Sequence, residues 1–332
     1  MSEGTCPADQ TTDRFRSDLG ALIGAGERIG VAVSGGPDSL ALLVLVAAVR
    51  PGKIEAATVD HGLRDGSCEE AAVVADICAR LGVPHAILTA AWETKPAAGI
   101  QERARAERYR LLARWALDRG LDAVATAHHL HDQAETLLMR LARGAGVRGL
   151  AAMRAAALVP GSDLPLLRPL LGWRRAELAQ VCASAGVEPA TDPSNHDARF
   201  ERVRIRQALA ESAWLDPQAL AASAANLGKA DAALEWATDQ EAKRGLTIAE
   251  TKILYRPADA PPEIRRRIVA RAVARLAAEG NGAVLRGSEL DRLLAILADG
   301  GKATLRGVLC SGGETWRFVP APNRTRRVDN LR

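Results

Sequence analysis

The chain has 332 residues, which is too long for one ordinary hydrophobic core and predicts two or more domains. Its five cysteines form no CxxC pair, which excludes a disulfide framework and a structural zinc site. The longest apolar run is about half the ~20 residues that a membrane span needs, which excludes a membrane helix. Together these features predict a cytoplasmic protein. Residues 199–332 hold 23 Lys and Arg against 16 Asp and Glu, which favours a polyanionic partner such as nucleic acid over a merely Arg-rich composition.

The first 190 residues alternate between short apolar segments with strand character and longer segments with helical character. Strands are predicted at Arg28–Val33, Ile54–Val59, Pro84–Thr89, Asp122–Ala127 and Leu164–Leu171. Helices are predicted at Ser39–Val49, Glu69–Leu81, Gln101–Arg119, Asp132–Leu141 and Trp173–Ala185. This alternation predicts an α/β fold with a doubly wound parallel sheet, in which ligands bind beyond the carboxyl ends of the strands.

From about residue 189 the sequence changes character. Helices are predicted at Asn226–Lys243, Pro261–Ala278 and Ser288–Ala298, and residues 303–319 alternate as in a small hairpin. We place the domain boundary near residue 212. The prediction is a catalytic domain over residues 1–212, followed by a smaller, mainly helical domain over residues 213–332.

A glycine-rich turn follows the first predicted strand; its residues are Ser34, Gly35, Gly36, Pro37, Asp38 and Ser39. The two glycines allow successive amides to face one concavity, and the next helix adds its N-terminal amides, which together suit a phosphate or pyrophosphate. No Gly-Lys-Ser/Thr follows, so the turn is not a Walker loop, and Asp38 is the candidate ligand for Mg²⁺. The alternative is a tight turn with a capping side chain.

Polar residues follow two further strands. Asp60 and His61 end the second strand, and His128 ends the fourth. Asp132 and Glu135 are three residues apart at the start of a helix, so both project from one face and suit an ammonium group or Mg²⁺. The alternative at Asp60 is a capping side chain in a polar loop.

Arg105 and Arg108 share one face of the long predicted helix. A guanidinium group there suits a phosphate or a substrate carboxylate, and Arg105 is the preferred residue. The alternative is an Arg-rich helix face exposed to solvent.

The turn Ser34–Ser39 resembles the signature of the PP-loop ATP pyrophosphatases, which cleave ATP between the α and β phosphates and share an adenine nucleotide alpha hydrolase-like fold. Further segments are similar to the tRNA(Ile)-lysidine synthases, and the similarity covers roughly residues 28–206. They are VDHGLR at 59–64, AR-x-x-RY at 104–109, HHLHDQAET at 128–136, RPLL at 168–171, DPSN at 192–195 and F-x-RVRIR at 200–206. One departure is His131, where that family usually has Asp, and we leave His131 out of the predicted site.

The resemblance implies a ligase that uses ATP and Mg²⁺ to join L-lysine to C2 of the wobble cytidine in the CAU anticodon of tRNA(Ile), through an O-adenylate, with release of pyrophosphate and AMP. It implies that the turn amides bind pyrophosphate, that Asp60, His61 and His128 contact the nucleotide, and that Asp38 binds Mg²⁺. Asp132 and Glu135 would hold lysine and accept its proton, and Arg105 would bind the lysine carboxylate or a phosphate. Four arginines are candidate tRNA contacts: Arg199, Arg202, Arg204 and Arg206.

Three alternatives stay open: a tRNA thiolase of the same fold, an amide-forming synthetase with a small-molecule acceptor, and a nucleotide-binding RNA adaptor without activity. The segment Arg265–Arg267 and the arginines at 324, 326 and 327 are further candidate phosphate contacts, with a simple helix surface equally expected for the former. Ordinary packing is predicted for Trp173, Trp214 and Trp316. The sequence leaves homodimer formation open.

Overall fold

The computed structural model describes residues 9–62, 67–92, 99–189, 199, 201–277, 285 and 287–322. The predictions for residues 64, 192–195, 200 and 324–327 lie outside the described residues. The chain divides into two compact units, Met1–Gly228 and Lys229–Arg332.

The first unit combines a sheet with helices that precede and follow its strands. Its helices are α1 (Asp9–Gly20), α2 (Pro37–Val49), α3 (Ser67–Arg80), α4 (Ile100–Asp118), α5 (Leu130–Leu141), α6 (Val147–Leu150), α7 (Arg175–Ser184) and α8 (Glu201–Glu211). Its strands are β1 (Ile29–Ala32), β2 (Ile54–Asp60), β3 (His85–Thr89), β4 (Ala123–Ala125), β5 (Ala156–Leu158) and β6 (Pro165–Leu167). The division between the units falls within α9 (Pro217–Gly245).

The strand order in this sheet is β3-β2-β1-β4-β6-β5. All described pairs are parallel except that of β5 with β6, which is antiparallel. The predicted doubly wound sheet is therefore confirmed, with an added antiparallel edge strand. Because successive strands run outward from β1 in one direction and from β4 in the other, the order reverses between β1 and β4. In such sheets this reversal opens the ligand crevice at the carboxyl ends.

The position of α2 is fixed by its apolar surface. The segment from residue 39 to residue 46 is completely buried, and α2 packs between β1, β2, α1 and α7. A helix that is apolar on all sides belongs inside a protein. The turn that precedes α2 is thus held on a rigid base.

The α4 helix lies close to β1. A Cβ atom at Gly30 would come within 2.6 Å of the ring of Trp115 and 3.0 Å of Leu121. Such distances are far inside van der Waals contact, so glycine is required at this point for the helix to reach the sheet.

Four elements of this unit were not predicted from the sequence: α1, β5, α6 and α8. The α1 helix buries Phe15 and Leu19, and Phe15 meets Trp173 edge-on at 6.1 Å. The edge strand β5 has only three residues, two of them exposed. Its sequence Ala-Ala-Leu has little intrinsic strand preference, so pairing with β6 decides its conformation.

The second unit pairs helices with an antiparallel sheet of order β7-β8-β11-β10-β9. Its further elements are β7 (Leu246–Ala249), β8 (Lys252–Tyr255), α10 (Pro262–Leu276), α11 (Gly287–Ala298), β9 (Lys302–Leu305), β10 (Val308–Ser311) and β11 (Trp316–Pro320). The predicted hairpin is part of this larger sheet, and β7 and β8 were not predicted. Tyr255 and Phe318 are fully buried in its core. Within the described residues no helix is both long and apolar enough to cross a lipid bilayer.

Candidate active site

The glycine-rich turn joins β1 to α2 at the crevice. Gly35 has a φ of +83°, which favours glycine, and Gly36 is the extended N-cap of α2, with Pro37 in the first turn. Ser39 Oγ accepts a hydrogen bond from Ser34 N at 3.1 Å and donates one to Gly36 O at 2.9 Å. The Ser34 hydroxyl lies 3.3 Å from the same Ser39 oxygen. The hydroxyl groups therefore brace the turn, and the amides at the start of α2 are its donors for phosphate.

Asp38 stands in the first turn of α2 with its side chain 25% exposed. Its Oδ2 lies 3.3 Å from His129 Nε2, and its Oδ1 is buried with no hydrogen-bond partner among the described residues. A buried carboxylate oxygen without a donor suits a hard cation. No group of three or more His, Cys, Asp or Glu in the described part of the chain forms a metal site by itself. Asp38 therefore fits a Mg²⁺ ion whose other ligands come from phosphates and water.

His129 is a site residue that the sequence analysis missed. It is only 1% exposed and caps α5, where its Nδ1 accepts a hydrogen bond from His131 N at 3.1 Å. In the neutral ring this leaves the proton on Nε2, the atom that faces Asp38. The sequence prediction began this helix at Asp132, two residues after its observed start at Leu130, and so did not recognise His129 as the capping residue. His131 also lies beside the site, with its ring 5.5 Å from that of His129.

Asp132 completes the cap of α5, because its Oδ2 accepts a hydrogen bond from His129 N at 3.0 Å. The same oxygen lies 3.7 Å from His129 Nε2. Burial raises the pKa of Asp132, but the electrostatic effects of His129 and Arg202 and the backbone hydrogen bond outweigh it, so the pKa lies below its ordinary value. Asp132 is therefore ionised at neutral pH.

Glu135 is 1% exposed and faces two arginines of α8. Its oxygens lie 2.9 Å from Arg206 Nε and 3.1 Å from Arg202 Nε. Arg202 also donates a hydrogen bond to Thr136 Oγ1 at 3.2 Å. The carboxylate predicted to hold lysine is thus neutralised by two of the four arginines predicted to bind tRNA. The structure brings these predicted residues together, as partners of one another.

The other two arginines of that set lie at the surface. Arg204 and Arg199 are both exposed, and Arg204 Nη1 donates a hydrogen bond to Arg199 O at 3.0 Å. The α8 helix therefore has one arginine pair directed at Glu135 and one exposed arginine on another face.

Asp60 is the last residue of β2 and His61 follows it, so both lie at the carboxyl end of the strand. Asp60 Oδ1 accepts a hydrogen bond from Gly62 N at 2.9 Å, which closes a local turn, and His61 O accepts one from Trp92 Nε1 at 2.7 Å. Burial, with the charge of Arg108, lowers the pKa of His61 below its ordinary value. His61 is thus a neutral ring at physiological pH.

His128 lies at the end of β4, with its Nδ1 3.0 Å from Thr126 Oγ1. Burial lowers the pKa of His128 to about 3; the guanidinium groups of Arg168, Arg108 and Arg105 add to this effect, and Asp132 opposes it. Arg105 is exposed and lies over the ring of Tyr109 at 5.0 Å, with Nη2 3.3 Å from the Tyr109 hydroxyl. The predicted Arg105 and His128 therefore share one environment.

The turn, the carboxylates and the arginines thus meet at the carboxyl edge of β1, β4 and β6. The PP-loop domain family matches residues 10–213. A tRNA(Ile)-lysidine synthase from Novosphingobium aromaticivorans is 49% identical over 97% of both chains, and one from Zymomonas mobilis is 45% identical over 91% of both. The chain belongs to the tRNA(Ile)-lysidine synthase family. The resemblance inferred from the motifs is confirmed.

A solved structure outside the lysidine synthase family shares the fold. The U34-tRNA thiolase NcsA from Methanococcus maripaludis, with its 4Fe–4S cluster, superimposes with a TM-score of 0.53 at 17% identity, covering 65% of this chain and 76% of the thiolase. At this identity the likeness concerns the fold alone.

The tryptophans and the arginines of α10 for which the sequence made predictions differ in how far they are buried. Trp173 and Trp316 are buried as predicted, but packing was the wrong prediction for Trp214, which is 83% exposed. In the basic segment of α10, Arg266 pairs with Asp291 at 3.0 Å and Arg267 is 4% exposed among carboxylates. Both predictions are therefore wrong for Arg267, which neither lies on an exposed helix surface nor is accessible to a phosphate.

Proposed function

We propose that the chain adenylates the C2 oxygen of the wobble cytidine in the CAU anticodon of tRNA(Ile) and then joins lysine to C2. The cytosine oxygen attacks the α-phosphorus of ATP and pyrophosphate leaves. The lysine ε-amine then attacks C2, the C2–O bond breaks with AMP as leaving group, and the amine loses a proton. The names of the relatives and the PP-loop family support this reaction. The observation that carries it is the buried Asp38 oxygen beside the phosphate turn, which has no hydrogen-bond partner among the described residues.

The turn and Asp38 serve the first step. Amides at Gly35, Gly36 and Ser39 would receive the pyrophosphate. Asp38 would hold Mg²⁺, which when bound supplies positive charge opposite the departing phosphates. His129 positions the Asp38 carboxylate through its Nε2, which lies 3.3 Å from Oδ2. Asp60, His61 and His128 remain proposed nucleotide contacts, and the low pKa of His128 keeps that ring uncharged.

The proposed lysine-binding residues Asp132 and Glu135 lie near the start of α5. Free lysine carries an ammonium with an ordinary pKa of about 10.4 and must be deprotonated before it attacks. The lowered pKa of Asp132 suits a carboxylate that binds the ammonium better than one that stores a proton. Glu135 can contact lysine only if its ion pairs with Arg202 and Arg206 open. Arg105 would bind the lysine carboxylate or a phosphate.

We propose that tRNA is contacted by four arginines and by the predicted C-terminal domain, residues 213–332. The four arginines are Arg199, Arg202, Arg204 and Arg206. A splayed anticodon loop exposes its bases, and arginines supply contacts to its phosphates. The exposed Arg204 suits a phosphate contact best, because Arg202 and Arg206 face Glu135.

The thiolase alternative is weakened by the state of the described thiols. Burial raises the pKa of Cys78 to about 11, that of Cys182 to about 11 and that of Cys310 to about 12. At neutral pH these residues are thiols and poor nucleophiles. The side chains of Cys6 and Cys68 lie outside the described residues.

Incorporation of radiolabelled lysine into total tRNA tests the proposal. We expect ATP-dependent labelling of one isoleucine tRNA, with release of AMP and pyrophosphate. Incorporation of sulfur from a labelled persulfide donor, with no incorporation of lysine, would instead support a thiolase. No pyrophosphate release with ATP, lysine and tRNA would indicate an inactive adaptor.

Asp38→Ala should abolish AMP formation, by at least about 100-fold, while tRNA binding survives, because it removes charge stabilisation at the leaving group. Asp118→Ala is the matched control, since Asp118 is exposed at the end of α4 and pairs with Arg114. Equal activity of the two variants would contradict the role of Asp38.

A further inference from the structure

Two nitrogen atoms at the starts of α5 and α7 are buried without a hydrogen-bond partner among the described residues. They are Nδ1 of His131, the second residue of α5, and Nε of Arg175, the first residue of α7. The starts of the two helices are adjacent, because Leu130 N donates a hydrogen bond to Trp173 O at 3.0 Å. We call His131 and Arg175 the helix-end pair.

Arg175 is half-buried and has no acidic partner among the described residues. Its neighbour Arg174, in contrast, is exposed and donates a hydrogen bond to Gln218 Oε1. A guanidinium group stays protonated in proteins, and withdrawing it from water is costly unless a ligand supplies negative charge. The start of α7 adds backbone amides and the positive end of the helix dipole. The surroundings of Arg175 therefore favour an anion.

His131 adds a neutral ring to this position. Burial lowers the pKa of His131; the electrostatic effects of His129 and Arg175 add to this, and those of Glu135 and Asp132 oppose it. A neutral imidazole carries one proton, and a proton on Nδ1 makes that buried atom a hydrogen-bond donor. Position 131 is where the chain departs from the family motif, which usually has Asp. An Asp would neutralise Arg175, whereas His131 leaves its charge available to a ligand.

The helix-end pair is connected to the phosphate turn from two sides. His129, whose Nε2 lies 3.3 Å from Asp38 Oδ2, has its ring centroid 5.5 Å from that of His131. Cys182 Sγ donates a hydrogen bond to Pro37 O at 3.3 Å, so α7 runs along the first turn of α2. Both connections lead from the helix-end pair to the turn that is proposed to receive pyrophosphate.

This placement distinguishes between the anions available. Phosphates of RNA are contacted by arginines at a protein surface, such as the exposed Arg204. The unpartnered nitrogens of the helix-end pair are instead buried, close to the carboxylate that is proposed to hold Mg²⁺. An anion at this position therefore belongs to the molecule bound at the turn, and the outermost group of that molecule is the γ-phosphate of ATP.

We propose that His131 and Arg175 bind the γ-phosphate of ATP and hold the pyrophosphate as it leaves. Each side chain supplies an N–H donor, and Arg175 supplies the positive charge that a lysine provides in Walker loops. This inference rests on the proposed function and adds two residues to the same site, one of which, His131, was left out of the predicted site.

Binding of ATP and of ADP to the full chain with Mg²⁺, measured by isothermal titration calorimetry, tests the inference, because ADP lacks the γ-phosphate. The unaltered protein should bind ATP roughly 10- to 100-fold more tightly than ADP, the range expected for charge-assisted hydrogen bonds. In Arg175→Met the affinity for ATP should fall towards that for ADP, while the affinity for ADP stays unchanged.

His131→Asp is the second variant, and it should abolish the preference for ATP in the same way. The new carboxylate would pair with Arg175 and repel the γ-phosphate. An acidic residue in the first turn of α5 also favours the helix, so this variant should fold even if Arg175→Met does not. In both variants the KM for ATP in lysine incorporation should rise, with the KM for lysine unchanged.

The matched control is Arg174→Met, which removes an exposed guanidinium group from the residue next to Arg175. It should keep the full preference for ATP. A preference that survives in both Arg175→Met and His131→Asp would overturn the inference, and so would equal losses of affinity for ATP and ADP. Weaker tRNA binding with the preference for ATP intact would assign the helix-end pair to an RNA phosphate instead.

Failure of this inference can be distinguished from failure of the proposed function. An unaltered protein that incorporates lysine but binds ATP and ADP equally well refutes this inference alone. A protein that binds neither nucleotide and incorporates no lysine refutes the proposed function and the inference with it.

Discussion

Arg168 and Arg267 are both nearly buried, yet their surroundings are opposite. Arg267 on α10 is held by Asp231 at 2.7 Å, by Glu263 at 2.8 Å and by Glu235. Arg168 at the end of β6 has a backbone carbonyl and a tyrosine hydroxyl nearby and no carboxylate among the described residues. The same side chain is thus part of the scaffold in one unit and open to a ligand in the other.

This difference separates charge that stabilises the fold from charge that is kept for a substrate. A buried ion pair loses much stability when one partner is removed, because the remaining charges are left without compensation. Replacing Arg168, which lacks a carboxylate among the described residues, leaves no charge uncompensated and only the carbonyl of Arg154 without its donor. Stability and substrate use should therefore respond in opposite ways at the two positions.

The largest expected effect on stability is that of Arg267→Met. It should lower the free energy of unfolding of the second unit by about 3–5 kcal/mol, since three carboxylates lose their common partner. Arg168→Met should change the free energy of unfolding by less than about 1 kcal/mol or raise it. Urea unfolding followed by circular dichroism measures both, and equal destabilisation by the two variants would remove the distinction.

Glu135→Gln tests an intermediate case, because Arg202 and Arg206 are 39% and 30% exposed. It should lower the free energy of unfolding by about 1–2 kcal/mol, since solvent screens the two arginines left without their partner. The KM for lysine should rise, as it should in Asp132→Asn. Lysine kinetics that are unchanged in Glu135→Gln would show that Glu135 positions α8 and does not contact the substrate.

The smallest effect is expected at the surface of α8. Arg204→Gln should weaken tRNA binding and reduce the slope of log affinity against log salt by about 1, as expected for one lost phosphate contact. Arg206→Gln should reduce that slope less, because Arg206 faces Glu135 at 2.9 Å. Measuring tRNA binding over a series of salt concentrations distinguishes the two variants. Identical slopes would mean that the ion pair between Arg206 and Glu135 breaks when tRNA binds.

The features that the sequence predicted well are those whose chemistry is contained in consecutive residues. The phosphate turn could be found because Gly35, Asp38 and Ser39 stand together between an apolar strand and an apolar helix. The doubly wound sheet followed from the same alternation. Both depend on local preference and on burial patterns that are visible within one segment.

The ion pairs of the site could not be predicted in this way. Glu135 and Arg206 are 71 positions apart, and nothing in either segment indicates that they meet. Glu135 was therefore assigned to lysine, and Arg206 to tRNA, without the knowledge that they neutralise each other. His129 was missed for a related reason, since its contact with Asp38 depends on the adjacency of β1 and β4 in the sheet.

The close approach of Trp115 to Gly30 has a consequence for how substitutions in this protein should be interpreted. A single methyl group at position 30 would push against the indole ring and displace α4, the helix that carries Arg105 and Arg108. A survey of tolerated substitutions would then show position 30 to be as restricted as the reactive residues, although it contacts no reactant.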